Sequence, residues 1–229
     1  MTRIVKKRDV RKNEILDVAQ TLFYSKGFDQ TSINQIIDQV GIAKGTIYHY
    51  FKSKYELLDA VVDRLIMQMK DAVQPILKNE KLNAIDKFNM TFKIIGQMKF
   101  ERKEFILELL RMINRNENVI LHQKMVMRSI DYIAPILSQI IKEGIQEHTL
   151  DCEYPDEVAA YILGLSGYMN RYFTKIIIEI QGGREDLEVY MIHLKGLERV
   201  IERMIGAEKE TLSLADEALV RKFFTDQEE

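Results

Sequence analysis

The chain has 229 residues, 46% of them hydrophobic and 30% charged, with a formal net charge of −2. This is the make-up of a globular protein long enough to bury a substantial core, and it excludes the disordered, low-complexity and membrane-spanning classes. The charge is uneven: residues 1–54 hold ten Lys/Arg against five Asp/Glu, so a basic front is joined to an acidic remainder, as expected if only the front meets a polyanion.

Apolar residues recur at helical spacing almost throughout, Pro75, Pro135 and Pro155 are the only prolines, and no period-2 alternation is sustained. The pattern predicts an all-α fold. After a basic arm at residues 1–8, a first helix over 9–26 carries Ile15, Ala19, Leu22 and Phe23 on one face. Gly27 should stop it, with Phe28 folding back on Phe23. A second helix opens at Thr31 and Ser32, where Ser32 and Gln35 have capping-box spacing and Ile33, Ile36, Ile37 and Val40 form a stripe. Gly41 interrupts it, Ile42 supplies an anchor, and a third short helix runs from about Ala43 to Phe51.

Longer helices are expected near 54–79, 83–99, 102–115, 117–147, 155–181 and 186–206. Asn79 to Lys81, Asn114 to Asn118 and Gln181-Gly182-Gly183 break them, Pro155 suits a first turn, and Pro135 should kink or split its helix. The organisation read from this is a three-helix front over 1–53, a regulatory and dimerisation body over 54–206, and a tail over 207–229. In the tail, Leu212, Leu214, Leu219, Val220, Phe223 and Phe224 fit a short amphipathic helix. Glu104, Glu108, Arg111 and Arg115 recur every three or four positions and read as a solvated face with local ion pairs.

Residues 31–51 have the layout of a helix-turn-helix. With Ile42, Ile47 and Phe51 inward, Lys44, Gly45, Thr46, Tyr48, His49 and Tyr50 are left for solvent or a partner. Tyrosine hydroxyls and lysine ammonium groups donate to phosphates, a threonine methyl touches thymine, and a glycine admits a close backbone. Thr31 and Ser32 stand at a helix N-terminus, which favours an anion, and Lys54 opens the next helix similarly. The alternative for Tyr48 and Tyr50 is partial packing against the first or fourth helix.

In order and content these residues resemble the DNA-binding domain of the tetracycline-repressor (TetR) family. The resemblance rests on Ala19, Phe23, Gly27-Phe28, Thr31-Ser32-Ile33, Ile36, Gly41-Ile42, Lys44 through Phe51, Lys54 and Leu57. It spans about residues 9–60; Ala43 departs from it, standing where the family often has serine. The resemblance implies an all-α homodimer whose two recognition helices enter successive major grooves of a palindromic double-stranded operator. It implies repression, relieved when a ligand in the body changes the helix separation. It also implies phosphate contacts at Thr31, Lys44, Tyr48, Tyr50 and Lys54, a close approach at Gly45, and base reading by Thr46 and His49.

For the body, a twofold four-helix interface is expected from Ile162, Ser166, Met169, Phe173 and Ile176 with Leu194, Leu197, Ile201 and Met204. Gly164 and Gly167 would allow a close helix crossing. Phe88, Phe92, Met98, Met112, Met125, Tyr132, Tyr168 and Tyr172 are candidate walls of a pocket for an apolar small-molecule effector. The alternative is a regulator of the same fold controlled by a protein partner, through the tail, or acting without effector. His49, His122, His148 and His193 lack zinc-ligand spacing, Gly164 to Gly167 is no nucleophile elbow, and Gly41 to Thr46 is no phosphate loop. Neither enzyme, metal nor cofactor is expected. The lone Cys152 and the lack of an export signal or membrane span predict a cytoplasmic protein.

Overall fold

The computed structural model describes residues 2–113 and 119–225, with the side chains of 2–9, 113, 121 and 225 left out. Among the described residues it is all-α: α1 (Thr2–Lys26), α2 (Ile33–Val40), α3 (Lys44–Tyr50), α4 (Lys54–Leu77), α5 (Ala84–Phe100), α6 (Lys103–Ile113), α7 (Val119–Gln146), α8 (Pro155–Gln181), α9 (Leu187–Ile205) and α10 (Glu217–Thr225). None of the described helices is long and apolar enough to cross a membrane. The basic arm is not a separate segment, because α1 already begins at Thr2. The break at Asn114 to Asn118, and Arg115 within it, lie outside the described residues.

Local chemistry sets the helix ends. Gly27 takes φ +87° and its N–H bonds the Phe23 carbonyl at 3.1 Å, ending α1, and the Phe28 ring returns to Phe23 at 5.3 Å. Ser32 and Gln35 form the full capping box of α2, and Gly41 closes that helix in the left-handed conformation at φ 72°.

Inward stripes of α1 to α4 (Ile15, Ala19, Phe23, Ile36, Ile47, Phe51, Leu57, Leu58, Val61) join those of the body (Phe88, Phe105, Leu137, Ile140, Ile141, Ile162, Ile201) in one continuous core. Burial of each of the larger of these side chains stabilises by about 1.5–3 kcal/mol. Helix α4 is therefore a shared wall, packing on α1 as well as on α5 and α7.

Helix α7 runs unsplit through Pro135. The proline and Asp131, whose carbonyl it leaves without an intrahelical donor, are both exposed, so water can take the place of the missing bond. The broadest packing in the body is between α7 and α8. Gly167 permits it, since a Cβ there would stand 2.5 Å from a Val126 methyl; Gly164 faces open space.

The tail folds onto its own body. Asn89 of α5 donates to the Thr211 carbonyl at 2.9 Å and accepts the Ser213 N–H at 2.8 Å. The buried Glu202 carboxylate of α9 accepts the N–H groups of Thr211 and Leu212 at 3.0 and 3.2 Å. Leu212 is buried, Leu219 lies over Gly96, and ring contacts run from Phe100 through Phe223 and Phe224 to Tyr190.

Candidate nucleic-acid interface

The second and third helices are short, and each is anchored by few residues. Ile36 and Ile37 hold α2; Ile47 is the buried residue of α3, with Phe51 just beyond its end. Four residues of α3 are thereby turned to solvent: Lys44, Gly45, Tyr48 and His49 are exposed, while Thr46 and Tyr50 are half-buried. The His49 ring stands edge-on to Tyr50 at 5.3 Å, and Tyr50 packs partly against the core. The surface therefore offers an ammonium, a phenol and an imidazole on one short helix, together with a backbone bare of side chain. A Cβ at Gly45 would meet nothing within 4 Å and its φ lies outside the left-handed range, so no contact inside the chain requires glycine there.

Three expected contacts have other work. Thr31 is buried, and its hydroxyl donates to the carbonyls of Gly27 at 2.7 Å and Leu22 at 3.3 Å, tying the end of α1 to the start of α2. The Ser32 hydroxyl accepts the Gln35 N–H at 3.2 Å as a cap. Lys54 turns its ammonium over the Phe28 ring at 4.1 Å and donates to the Asp29 carbonyl at 3.3 Å. Burial lowers its pKa, against the pull of Asp29 and Glu108. Thr31 and Lys54 thus brace the turn between α1 and α2; the Thr31 hydroxyl is buried there, whereas Lys54 stays partly exposed.

The same turn is held from the body. Both carboxylate oxygens of Glu108, on α6, accept backbone N–H groups, Phe28 at 2.7 Å and Asp29 at 2.9 Å. Glu108 is therefore no member of a solvated ion-pair face. Arg111, one turn on, donates to the Gln181 side chain at the end of α8 at 2.7 Å. Two further long-range links join the layers: Arg64 of α4 bonds Asp17 and Asn13 of α1, and Arg128 of α7 grips Asp59 of α4 at 2.6 and 3.0 Å. The partners are tens of residues apart, and nothing in local spacing signals them.

The body residues divide differently from expectation. Ile162, Ile176, Leu194 and Ile201 are buried within the protomer, and Ser166, Met169, Phe173, Leu197 and Met204 are half-buried. The outward stripe of α8 is instead Tyr161, Tyr168 and Tyr172, and that of α9 is Ile192, Gly196 and Val200. The two stripes adjoin, since the Tyr172 hydroxyl lies 3.0 Å from His193 Nε2. Of the candidate pocket walls, Phe88 and Met112 are buried, Phe92, Met98, Met125 and Tyr132 are half-buried, and Tyr168, 80% exposed, and Tyr172 face outward. Two open clefts of about 600 and 470 Å³ contain none of the eight. One lies beside the Lys87–Glu143 ion pair; the other, between α1 and α4, is lined by Asp17, Tyr24, Arg64 and Gln68.

A short amphipathic helix, a glycine turn and an exposed polar helix, set on a larger helical body, define a helix-turn-helix protein. Residues 15–61 match the family described as bacterial regulatory proteins, tetR family, and residues 106–186 match the tetracyclin repressor-like C-terminal domain. The chain belongs to the TetR family of regulators.

Among its relatives, the transcriptional repressor KstR2 of Rhodococcus jostii is 40% identical over 52 residues, 23% of this chain and 26% of that protein. The fatty acid metabolism regulator of Bacillus subtilis is 29% identical over 143 residues, covering 62% and 72%. The chain matches only 26% to 33% of the length of the first of its repressor relatives. The solved structure of RolR with resorcinol shares the fold at TM-score 0.63 and 17% identity, over 96% of each chain.

Proposed function

We propose that this protein is a cytoplasmic, homodimeric repressor that binds a palindromic operator through α3 and releases it when a small molecule occupies the body. The observation that carries the reading is α3 itself, where Lys44, Tyr48 and His49 are exposed beside a Gly45 that the chain's own packing does not need. Lys44 and Tyr48 donate to phosphates, Gly45 lets the sugar-phosphate backbone close in, and His49 with the half-buried Thr46 meets base edges. Tyr50, partly packed in the core, contributes at most its hydroxyl. A dimer sets two copies of α3 one helical turn apart on the duplex. The outward stripes of α8 and α9 supply the self-complementary face a twofold dimer requires.

For the effector, Phe92, Met98, Met125 and Tyr132 are the candidate walls on α5 and α7 that are half-buried and so available to a ligand. A ligand that favours the DNA-incompetent arrangement shifts the equilibrium away from operator binding. Control by a protein seated on the tail has less support, since Leu212, Leu219, Phe223 and Phe224 are already engaged by the body.

The test is selection of bound sequences from a random duplex pool, followed by titration of the enriched site. A palindrome bound by a dimer supports the reading. Failure of a folded dimer to enrich any sequence overturns it.

A further inference from the structure

The body touches the DNA-binding half at a point that is chemically unusual. A carboxylate that could sit in water is spent instead on two consecutive backbone amides of the turn at residues 27–29, some 80 positions away in sequence. The approach is tight enough that a Cβ on Gly27 would lie 2.6 Å from the Glu108 carboxylate, so a side chain at residue 27 would require the carboxylate to shift. Charge-assisted bonds of this kind are short and directional, and they weaken steeply when donor and acceptor separate or tilt.

On one side, the turn runs directly into Thr31 and the Ser32 cap of α2, and α2 carries α3. Phe28, held by its N–H, is buried against Phe23 and Tyr55. On the other side, α6 is tied through Arg111 to Gln181 at the end of α8. Phe105 of the same helix packs on Tyr24 of α1 at 4.5 Å. One short helix therefore grips the reading head with Glu108 and, three residues on, the helix that carries the outward apolar stripe with Arg111.

Building on the reading above, we propose that Glu108 is the positioning residue that fixes the separation of the two recognition helices. It locks the α1–α2 turn to α6 through its two bonds to the Phe28 and Asp29 N–H groups. The specificity it confers is for the spacing between operator half-sites, not for their bases.

The experiment uses the full-length protein and the duplex recovered by selection. Affinity is measured for that duplex and for versions with one base pair added or removed at its centre. Wild-type protein is expected to discriminate against both altered spacings by about tenfold or more, a factor within the usual range of coupling between sites. Glu108→Ala should bind all three within about threefold of one another. Glu108→Gln, which keeps one acceptor oxygen, should fall between, and it supplies the test if the alanine variant does not fold. Glu104→Gln removes the same charge from an exposed position of α6 and should leave discrimination intact. Equal loss of affinity for all three duplexes, with discrimination kept, would show a merely structural role and overturn the proposal, as would wild-type discrimination in the glutamine variant. If the wild-type protein selects no duplex at all, it is the DNA-binding reading that fails.

Discussion

Glu108 and Gly27 meet with no room to spare: the carboxylate that receives the Phe28 N–H at 2.7 Å occupies the space a side chain at position 27 would need. Gly27 is also left-handed, at φ +87°. Gly27→Ala therefore combines a left-handed penalty of about 1–2 kcal/mol with displacement of Glu108. Chemical denaturation should show at least that loss of stability. Restoring space with Glu108→Ala in the Gly27→Ala background should recover part of it. Additive losses in the double variant would contradict the contact.

For the recognition helix, Lys44→Ala should weaken binding to every duplex and reduce the slope of log affinity against log salt by about one unit. Tyr48→Phe should also weaken binding uniformly, with the salt slope kept. His49→Ala should change which duplexes are preferred. Titrations at several salt concentrations separate the three, and an unchanged slope in Lys44→Ala would place the docking surface elsewhere.

The two faces of α8 and α9 make opposite predictions. Ile192→Asp or Tyr168→Asp, on the outward stripe, should yield a folded monomer in sedimentation, because an exposed residue costs the protomer little and a charge opposes association of an apolar face. Ile162→Ala, in the core, should destabilise the protomer by about 2–5 kcal/mol and leave the surface stripes intact. A dimer of undiminished strength in both aspartate variants would reject this interface.

The tail's attachment should be sensitive to acid. Burial would raise the pKa of Glu202, but hydrogen bonds from Arg199 and from the N–H groups of Leu212 and Thr211 together hold it below the ordinary glutamate value. A depressed folded-state pKa contributes stability that is fully present above the unfolded value of about 4.3. It is lost as pH falls through the folded value. Its neighbour Glu198, raised mainly by burial, opposes this trend over its own range. Glu202→Gln should lower stability at neutral pH and flatten the acid limb of the stability curve. Equal acid sensitivity in the variant and the wild type would assign that limb to other carboxylates.

Much of the architecture was legible in the residues themselves, since helix ends are written locally. Gly27, the Ser32–Gln35 box, Gly41 and Pro155 place four boundaries, and a period of 3.6 in the apolar residues does the rest. The helix-turn-helix was equally legible, because its chemistry lies within some twenty consecutive residues. What only the tertiary structure decided was which partner each polar group takes and which side of an apolar helix meets water. Thr31 and Lys54 became braces, Glu108 became a bridge, and the stripe through Ile162 and Ile201 became core while Tyr168 and Ile192 faced outward. The physical reason is that a helix as apolar as α8 or α9 has two faces fit for burial, and periodicity records their spacing but not their neighbours. A hydrogen bond across 80 residues leaves no periodic trace, because the geometry that makes it exists only once α6 has packed against α1.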